Sequence, residues 1–255
     1  MSLTPTQRRN ALDIQDGLKS RGIIFINGRN DGKTRIFSRV IENKFTPEGP
    51  RVAMQQRARR PEDQDIVFVI DAVFPRADKI TITGMKRQIL AAFGMSSMRM
   101  ACHVETAFRE LLVDHAKANK MICIAYDNAE LIAAKGFTVL KHLNEIRYDH
   151  KDVGVAILLS GEQSRMKMPF AFYKRTVEIE VGRFNAATDI LALIDAKWPG
   201  MSGHFTPEAL SAVQAHGTTL EMEAAARKAI RKMRSLRQDT VTRETVELPS
   251  FAKAA

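Results

Sequence analysis

The sequence predicts an α/β fold, a parallel sheet sandwiched by helices with a small helical lid at the C-terminal end. Three observations carry that expectation. Short apolar runs recur at Ile23–Ile26, Ile66–Ile70, Met121–Tyr126 and Val153–Leu159, with a brief alternating run at Val177–Val181. Amphipathic helical stretches separate these runs. From about residue 185 only helices follow, at about 186–197, 206–216 and 219–237. Strands that are apolar on both faces and spaced by helices belong to a parallel sheet covered on both sides. We therefore expect an α/β domain over 1–184, a helical lid over 185–247 and a tail over 248–255. A chain of 255 residues can hold both a large core and a small second one.

Each element has a local reason. Thr4 followed by Pro5 is an N-cap signal, and Ala11, Ile14 and Leu18 before Gly22 complete an amphipathic helix over about 5–20. Ile23-Ile24-Phe25-Ile26 is β-branched and aromatic and reads as a buried strand. After the polar turn Asn27-Gly28-Arg29-Asn30-Asp31-Gly32, a helix begins at Lys33-Thr34 with Ile36, Phe37, Val40 and Ile41 on one face. Residues 46–65 form a long polar loop before the second strand. Helices are expected over 84–93, ending at Gly94, over 104–118, with Phe108, Leu111 and Leu112, and over 129–146. There is no internal repeat.

Composition narrows the function classes. Lys plus Arg is 39 against 29 Asp plus Glu, a net charge of +10, and the pI is about 9.8. Such a balance calls for an anionic partner, nucleic acid before an acidic membrane. No apolar run reaches the ~20 residues needed to span a bilayer. The polar start MSLTPTQRRNALDIQDG lacks the apolar stretch of a secretory signal. Cys102 and Cys123 sit among apolar residues and are expected to be reduced core thiols of a cytoplasmic protein. The six histidines show no metal-ligand spacing with them.

The strand–NGRNDGKT–helix segment carries the chemistry. Triphosphate binding needs converging backbone N–H groups, a helix N-terminus, a lysine for the outer phosphates and a hydroxyl for Mg²⁺. Gly32-Lys33-Thr34 supplies the second half of this Walker A pattern. Asn27 stands where the leading glycine is usual, and asparagine tolerates left-handed backbone angles. A bare Gly-Lys-Thr fits an ordinary surface turn, but the flanking buried strand and amphipathic helix point to a nucleotide site. Asn27, Gly28, Arg29, Asn30, Asp31, Gly32, Lys33, Thr34 and Arg35 are its expected lining. The strand ending in Asp127 supplies a carboxylate for the Mg²⁺ shell, as Walker B residues do. The next residue is Asn128, which orients water but cannot take its proton. Glu130 can substitute only if the backbone turns it inward.

In the order of these parts the chain resembles the AAA+ P-loop NTPases of DNA transposition, the TniB/TnsC group to which the phage Mu B protein is also related. The resemblance runs over roughly residues 5–247. It rests on NGRNDGKT, then IVFVIDAVFPRADKITITGMKRQILAAFG, MICIAYDNAELI, AILLSGEQ and MPFAFYKRTVEIEV. It implies an ATP- and Mg²⁺-dependent homo-oligomer, a ring or helical filament, that assembles on double-stranded DNA and recruits a transposase. It places Glu162 at the first sensor position, where Asn or Thr is frequent, and Arg175, beside Lys174, as an arginine reaching the neighbouring subunit's γ-phosphate. It makes Arg227 a lid arginine. Asn27, Asn128 and Glu162 mark a divergent member, and slow or absent ATP turnover is one consequence.

Three basic clusters suit a DNA backbone. Arg76 and Lys79, with Lys86 and Arg87 on the following helix, come first, because the resemblance places this region toward the ring interior. Arg51, Arg57, Arg59 and Arg60 form the second. Arg227, Lys228, Arg231, Lys232, Arg234 and Arg237 form the third, at helical spacing, which also fits a solvated face or an acidic partner.

Overall fold

Thr4 starts the first helix as the sequence leads one to expect. In the computed structural model, which describes residues 4–28, 32–42, 66–70, 81–95, 100–149, 151–181, 187–217 and 219–247, helix α1 spans Pro5–Lys19. The Thr4 hydroxyl accepts the Gln7 N–H at 3.3 Å, and the Gln7 side chain accepts the Thr4 N–H at 3.1 Å. This reciprocal cap satisfies two otherwise unpaired helix donors. Strand β1 is Ile23–Asn27 and helix α2 is Lys33–Glu42. Strand β2 (Ile66–Ile70), helices α3 (Ile82–Ala92) and α4 (Ala101–Lys117) and strand β3 (Met121–Tyr126) follow.

After β3 the expected single helix over 129–146 is instead a 3₁₀ turn at Ala129–Leu131 and a separate helix α5 at Ala134–Asn144. Asn128, with φ 58° and ψ 51°, leads into the 3₁₀ turn, and the extended backbone of Ile132 (φ −78°, ψ 123°) and Ala133 (φ −72°, ψ 159°) makes the break. A two-residue antiparallel pair, β4 (Arg147–Tyr148) with β5 (Lys151–Asp152), leads into β6 (Ala156–Gly161). The four-residue helix α6 (Phe170–Tyr173) precedes β7 (Thr176–Glu180). Helices α7 (Ala187–Lys197), α8 (Pro207–Gln214) and α9 (Thr219–Ser235) follow, with a 3₁₀ turn at Arg243–Thr245 after them.

The fold is α/β. Among the described residues one sheet has five parallel strands in the order β2-β3-β6-β1-β7. Alternate residues face opposite sides. Ile23, Phe25, Ile124, Ile157 and Leu159 meet Phe108, Leu111, Phe137 and Leu140 of α4 and α5. Ile24, Ile26, Cys123, Ala125 and Leu158 meet Ile14, Leu18, Ile36, Phe37 and Val40 of α1 and α2. Burying a side chain of this size stabilises the fold by roughly 1.5–3 kcal/mol. A separate apolar cluster joins α7, α8 and α9 through Ile190, Leu193, Val213, Ile230 and Met233.

That helical cluster is tied back to the sheet layer by a buried carboxylate. Asp189 on α7, 0% exposed, accepts the Thr6 N–H at 3.0 Å and the Thr6 hydroxyl at 2.5 Å. Of the two cysteines, Cys123 is buried and its thiol pKa is pushed up by desolvation, so it stays protonated. Cys102 is exposed at the start of α4, against the expectation of a core thiol. The first turn of a helix lies at its rim, and its apolar neighbours in sequence face other ways. No helix among the described residues is long and apolar enough to cross a membrane.

Candidate functional site

Strand β1 is the place where the chain reverses direction across the sheet. It leaves β1 for β2 at the far edge, and later passes from β6 over β1 to β7. Ligands of such sheets bind outside the carboxyl ends of the strands at this reversal. The register sets Asn27 beside Gly161 of β6 and Glu180 of β7, so three strand ends are level there.

Asn27 holds these ends together. Its amide nitrogen donates to Glu178 at 2.5 Å, and its amide oxygen accepts the Gln163 N–H at 3.1 Å. The residue at the unusual leading position is thus a brace between β1, β7 and the turn after β6. Glycine is needed one residue later, because a Cβ on Gly28 would lie 2.6 Å from the Val181 carbonyl oxygen. Arg29, Asn30 and Asp31 lie outside the described residues. Gly32 is left-handed at φ +83°, and its carbonyl accepts the N–H groups of Arg35 and Ile36 at the start of α2. The Lys33 ammonium donates back to the Gly28 carbonyl, across the mouth of the loop.

Thr34 and Asp127 come together from elements 93 residues apart. The Thr34 hydroxyl donates to the Asp127 carboxylate at 3.0 Å, and the other Asp127 oxygen accepts the Asn128 N–H at 3.1 Å. An ammonium, a helix N-terminus and a hydroxyl–carboxylate pair form a donor set suited to a magnesium triphosphate. Among the described residues there is no cluster of three or more His, Cys, Asp or Glu able to cage a metal.

Three further positions differ in their surroundings. Asn128 is exposed and left-handed. Glu130 is turned inward by the 3₁₀ turn. Its Oε2 is buried without a hydrogen-bond partner and would lie 2.5 Å from a Cβ placed on Gly161. Glu162 follows β6 but is engaged locally, with Arg165 at 3.0 Å and the Ser164 hydroxyl at 3.0 Å.

Arg175 lies at the amino end of β7, the opposite end of the sheet from Lys33. Five strand residues at ~3.3 Å each put it roughly 16 Å from the carboxyl ends. It pairs with Glu145, and Lys174 stacks 4.7 Å over Phe170. Arg35 faces the helical cluster electrostatically. Its pKa is lowered, mainly by burial and then by Arg39, while Glu223 of α9 opposes the shift. Glu223 also binds Lys197 at 3.2 Å and Arg227 at 3.1 Å.

The expected DNA contacts fare unevenly. Arg76 and Lys79, like Arg51, Arg57, Arg59 and Arg60, lie outside the described residues. Lys86 corrects the sequence reading. It is 4% exposed, its ammonium is 2.6 and 2.8 Å from the two Glu105 oxygens, and it lies 5.3 Å over the Phe108 ring. Helix α3 buries Met85, Lys86, Ile89 and Leu90, so the lysine stem is part of its packed face and the charge is spent on α4. Arg87 is exposed. On α9, Arg227, Lys228, Arg231, Lys232 and Arg234 are exposed opposite the buried Met222, Ala226, Ile230 and Met233.

No protein-family model matches this chain, and no curated protein matches its sequence. Solved structures similar to it include Cdc6p from Pyrobaculum aerophilum, at 14% identity and TM-score 0.49, over 92% of this chain and 63% of that one. The Aeropyrum pernix ORC2 protein in ADPNP–ADP complexes is similar at 13% identity and TM-score 0.49, over 95% and 67% of the two chains. A Thermotoga maritima RuvB mutant is similar at 10% identity and TM-score 0.47, over 94% and 67%. The chain therefore spans less than two thirds of the first of these proteins.

Proposed function

We propose that the chain is an AAA+ regulator of DNA transposition, which binds ATP with Mg²⁺ at the carboxyl ends of β1 and β3 and assembles on duplex DNA in that state. The observation that carries the nucleotide reading is the Thr34–Asp127 pair, 3.0 Å apart, beside Lys33 at the start of α2. In this reading Lys33 neutralises the outer phosphates, Thr34 and Asp127 hold the Mg²⁺ shell, and Gly28 and Gly32 let the backbone approach. Bound Mg²⁺ would supply charge neutralisation at the phosphates.

The homo-oligomer reading draws on Arg175. At the far end of β7 it is remote from its own chain's Lys33, so it serves a phosphate only if a neighbouring copy presents one. Release from Glu145 would accompany that contact. For DNA, the exposed face of α9 is the basic surface best supported among the described residues, with backbone phosphates as its ligands. Transposition, with a transposase as partner, is favoured over the loading of replication proteins by the order of sequence motifs from NGRNDGKT to MPFAFYKRTVEIEV.

Anisotropy of a labelled duplex tests the switch. A non-hydrolysable ATP analogue with Mg²⁺ is expected to tighten binding at least about tenfold. The log of affinity should fall linearly with the log of salt concentration, and unrelated duplexes should bind alike. Equal binding with and without the analogue contradicts the reading.

A further inference from the structure

We infer that Glu130, three residues past Asp127 rather than one, is the carboxylate that activates the attacking water. The inference rests on the reading of this site as an ATP site. The usual position holds Asn128, an amide that cannot accept a proton. Its left-handed backbone, φ 58° and ψ 51°, turns the chain into the 3₁₀ turn Ala129–Leu131 and thereby carries Glu130 back toward the sheet.

The Glu130 carboxylate then reaches from the end of β3 to the end of β6. A Cβ on Gly161 would meet Glu130 Oε2 at 2.5 Å, Ala129 N at 3.4 Å and Met166 Sδ at 3.5 Å. A larger residue there would push the carboxylate aside. Gly161 is paired with Asn27, the last residue of β1, so the carboxylate lies over the end of the strand next to the one that leads into the phosphate loop. A buried carboxylate oxygen with no hydrogen-bond partner is costly, and such groups call for a role.

In the reaction the water oxygen forms a bond to the γ-phosphorus as the bond from that phosphorus to the β–γ bridging oxygen breaks. The bond's electron pair leaves on the departing diphosphate. One water proton passes to Glu130, which returns it to solvent or to the phosphate product. General-base catalysis of this kind contributes about 10²- to 10⁴-fold.

The test compares wild type with Glu130→Gln, which keeps the shape of the side chain, and with Gly161→Ala, which displaces the carboxylate. Turnover with Mg–ATP and duplex DNA is measured beside the affinity for a non-hydrolysable analogue. Nucleotide recovered from the protein after incubation with ATP is identified by chromatography. Expected for Glu130→Gln is a loss of turnover of at least about a hundredfold, analogue affinity within twofold of wild type, and ATP rather than ADP on the protein. Gly161→Ala should lower turnover in the same direction. If wild type hydrolyses ATP and Glu130→Gln keeps that rate, the role of Glu130 is wrong while the nucleotide site stands. If wild type binds the analogue and never turns ATP over, the role is also wrong. If wild type binds no nucleotide, the reading of the site itself fails.

Discussion

Lys33→Ala is expected to weaken binding of a magnesium ATP analogue by about a hundredfold or more, with no loss of fold. Lys33 donates to the Gly28 carbonyl across the mouth of the loop, within the segment that would surround a triphosphate. Each hydrogen bond to a charged group is worth ~1.5–3 kcal/mol, and a tenfold change in affinity corresponds to about 1.4 kcal/mol. Removing two hydrogen bonds to phosphate oxygens therefore lowers affinity by about two to four orders of magnitude. The lysine is only half-buried and lies outside both apolar layers, so thermal unfolding without nucleotide should match wild type. Titration calorimetry reads the first expectation and scanning calorimetry the second. An unchanged affinity would remove Lys33 from the site.

Asp189→Ala is the substitution with the largest expected effect on stability among the polar residues, a loss of about 2–4 kcal/mol by urea unfolding. The carboxylate is fully buried and accepts two hydrogen bonds from Thr6. Thr6 is in the first turn of α1, where the helix dipole favours a negative charge. Alanine leaves the Thr6 N–H and hydroxyl without that acceptor. Asp189→Asn keeps an acceptor oxygen and should be destabilised less than the alanine variant. A change under ~0.5 kcal/mol for Asp189→Ala would mean that this contact does not hold the helical cluster to α1.

How much of the molecule is legible in its sequence follows from the physics of each signal. The sheet strands are readable because burial on both faces writes continuous apolar runs such as Met121–Tyr126. The cap of α1 is readable because Thr4-Pro5 is a local signal. Motif context places Thr34 and Asp127, and their 3.0 Å contact shows the two segments meeting. Short elements are not legible. Two-residue strands at 147–148 and 151–152 and the four-residue α6 are too brief for any period to show.

Lys86 misleads because a charge in an amphipathic stretch reads as the outward face. Its partner Glu105 lies on another helix, 19 residues away, and pairings of that kind leave no local pattern. Asn27 reads as a substitute for a flexible glycine, whereas its contacts with Glu178 and Gln163 depend on β7 and β6 lying on either side of β1. The placement of Glu130 depends on one backbone angle, the positive φ of Asn128. Asparagine is enriched at such angles, and that is the available hint. The Asp189–Thr6 contact spans 183 residues and has no sequence signature.

A structure of the protein bound to a non-hydrolysable ATP analogue, Mg²⁺ and duplex DNA would show whether a magnesium triphosphate binds at the ends of β1 and β3. The triphosphate is expected over the start of α2 with Lys33 on its outer phosphates and Mg²⁺ at ~2.0–2.1 Å from the Thr34 hydroxyl. Asp127 is expected in the metal shell, with a water beside Glu130. An analogue bound elsewhere, or a metal that touches neither Thr34 nor Asp127 directly or through water, would contradict this reading of the site.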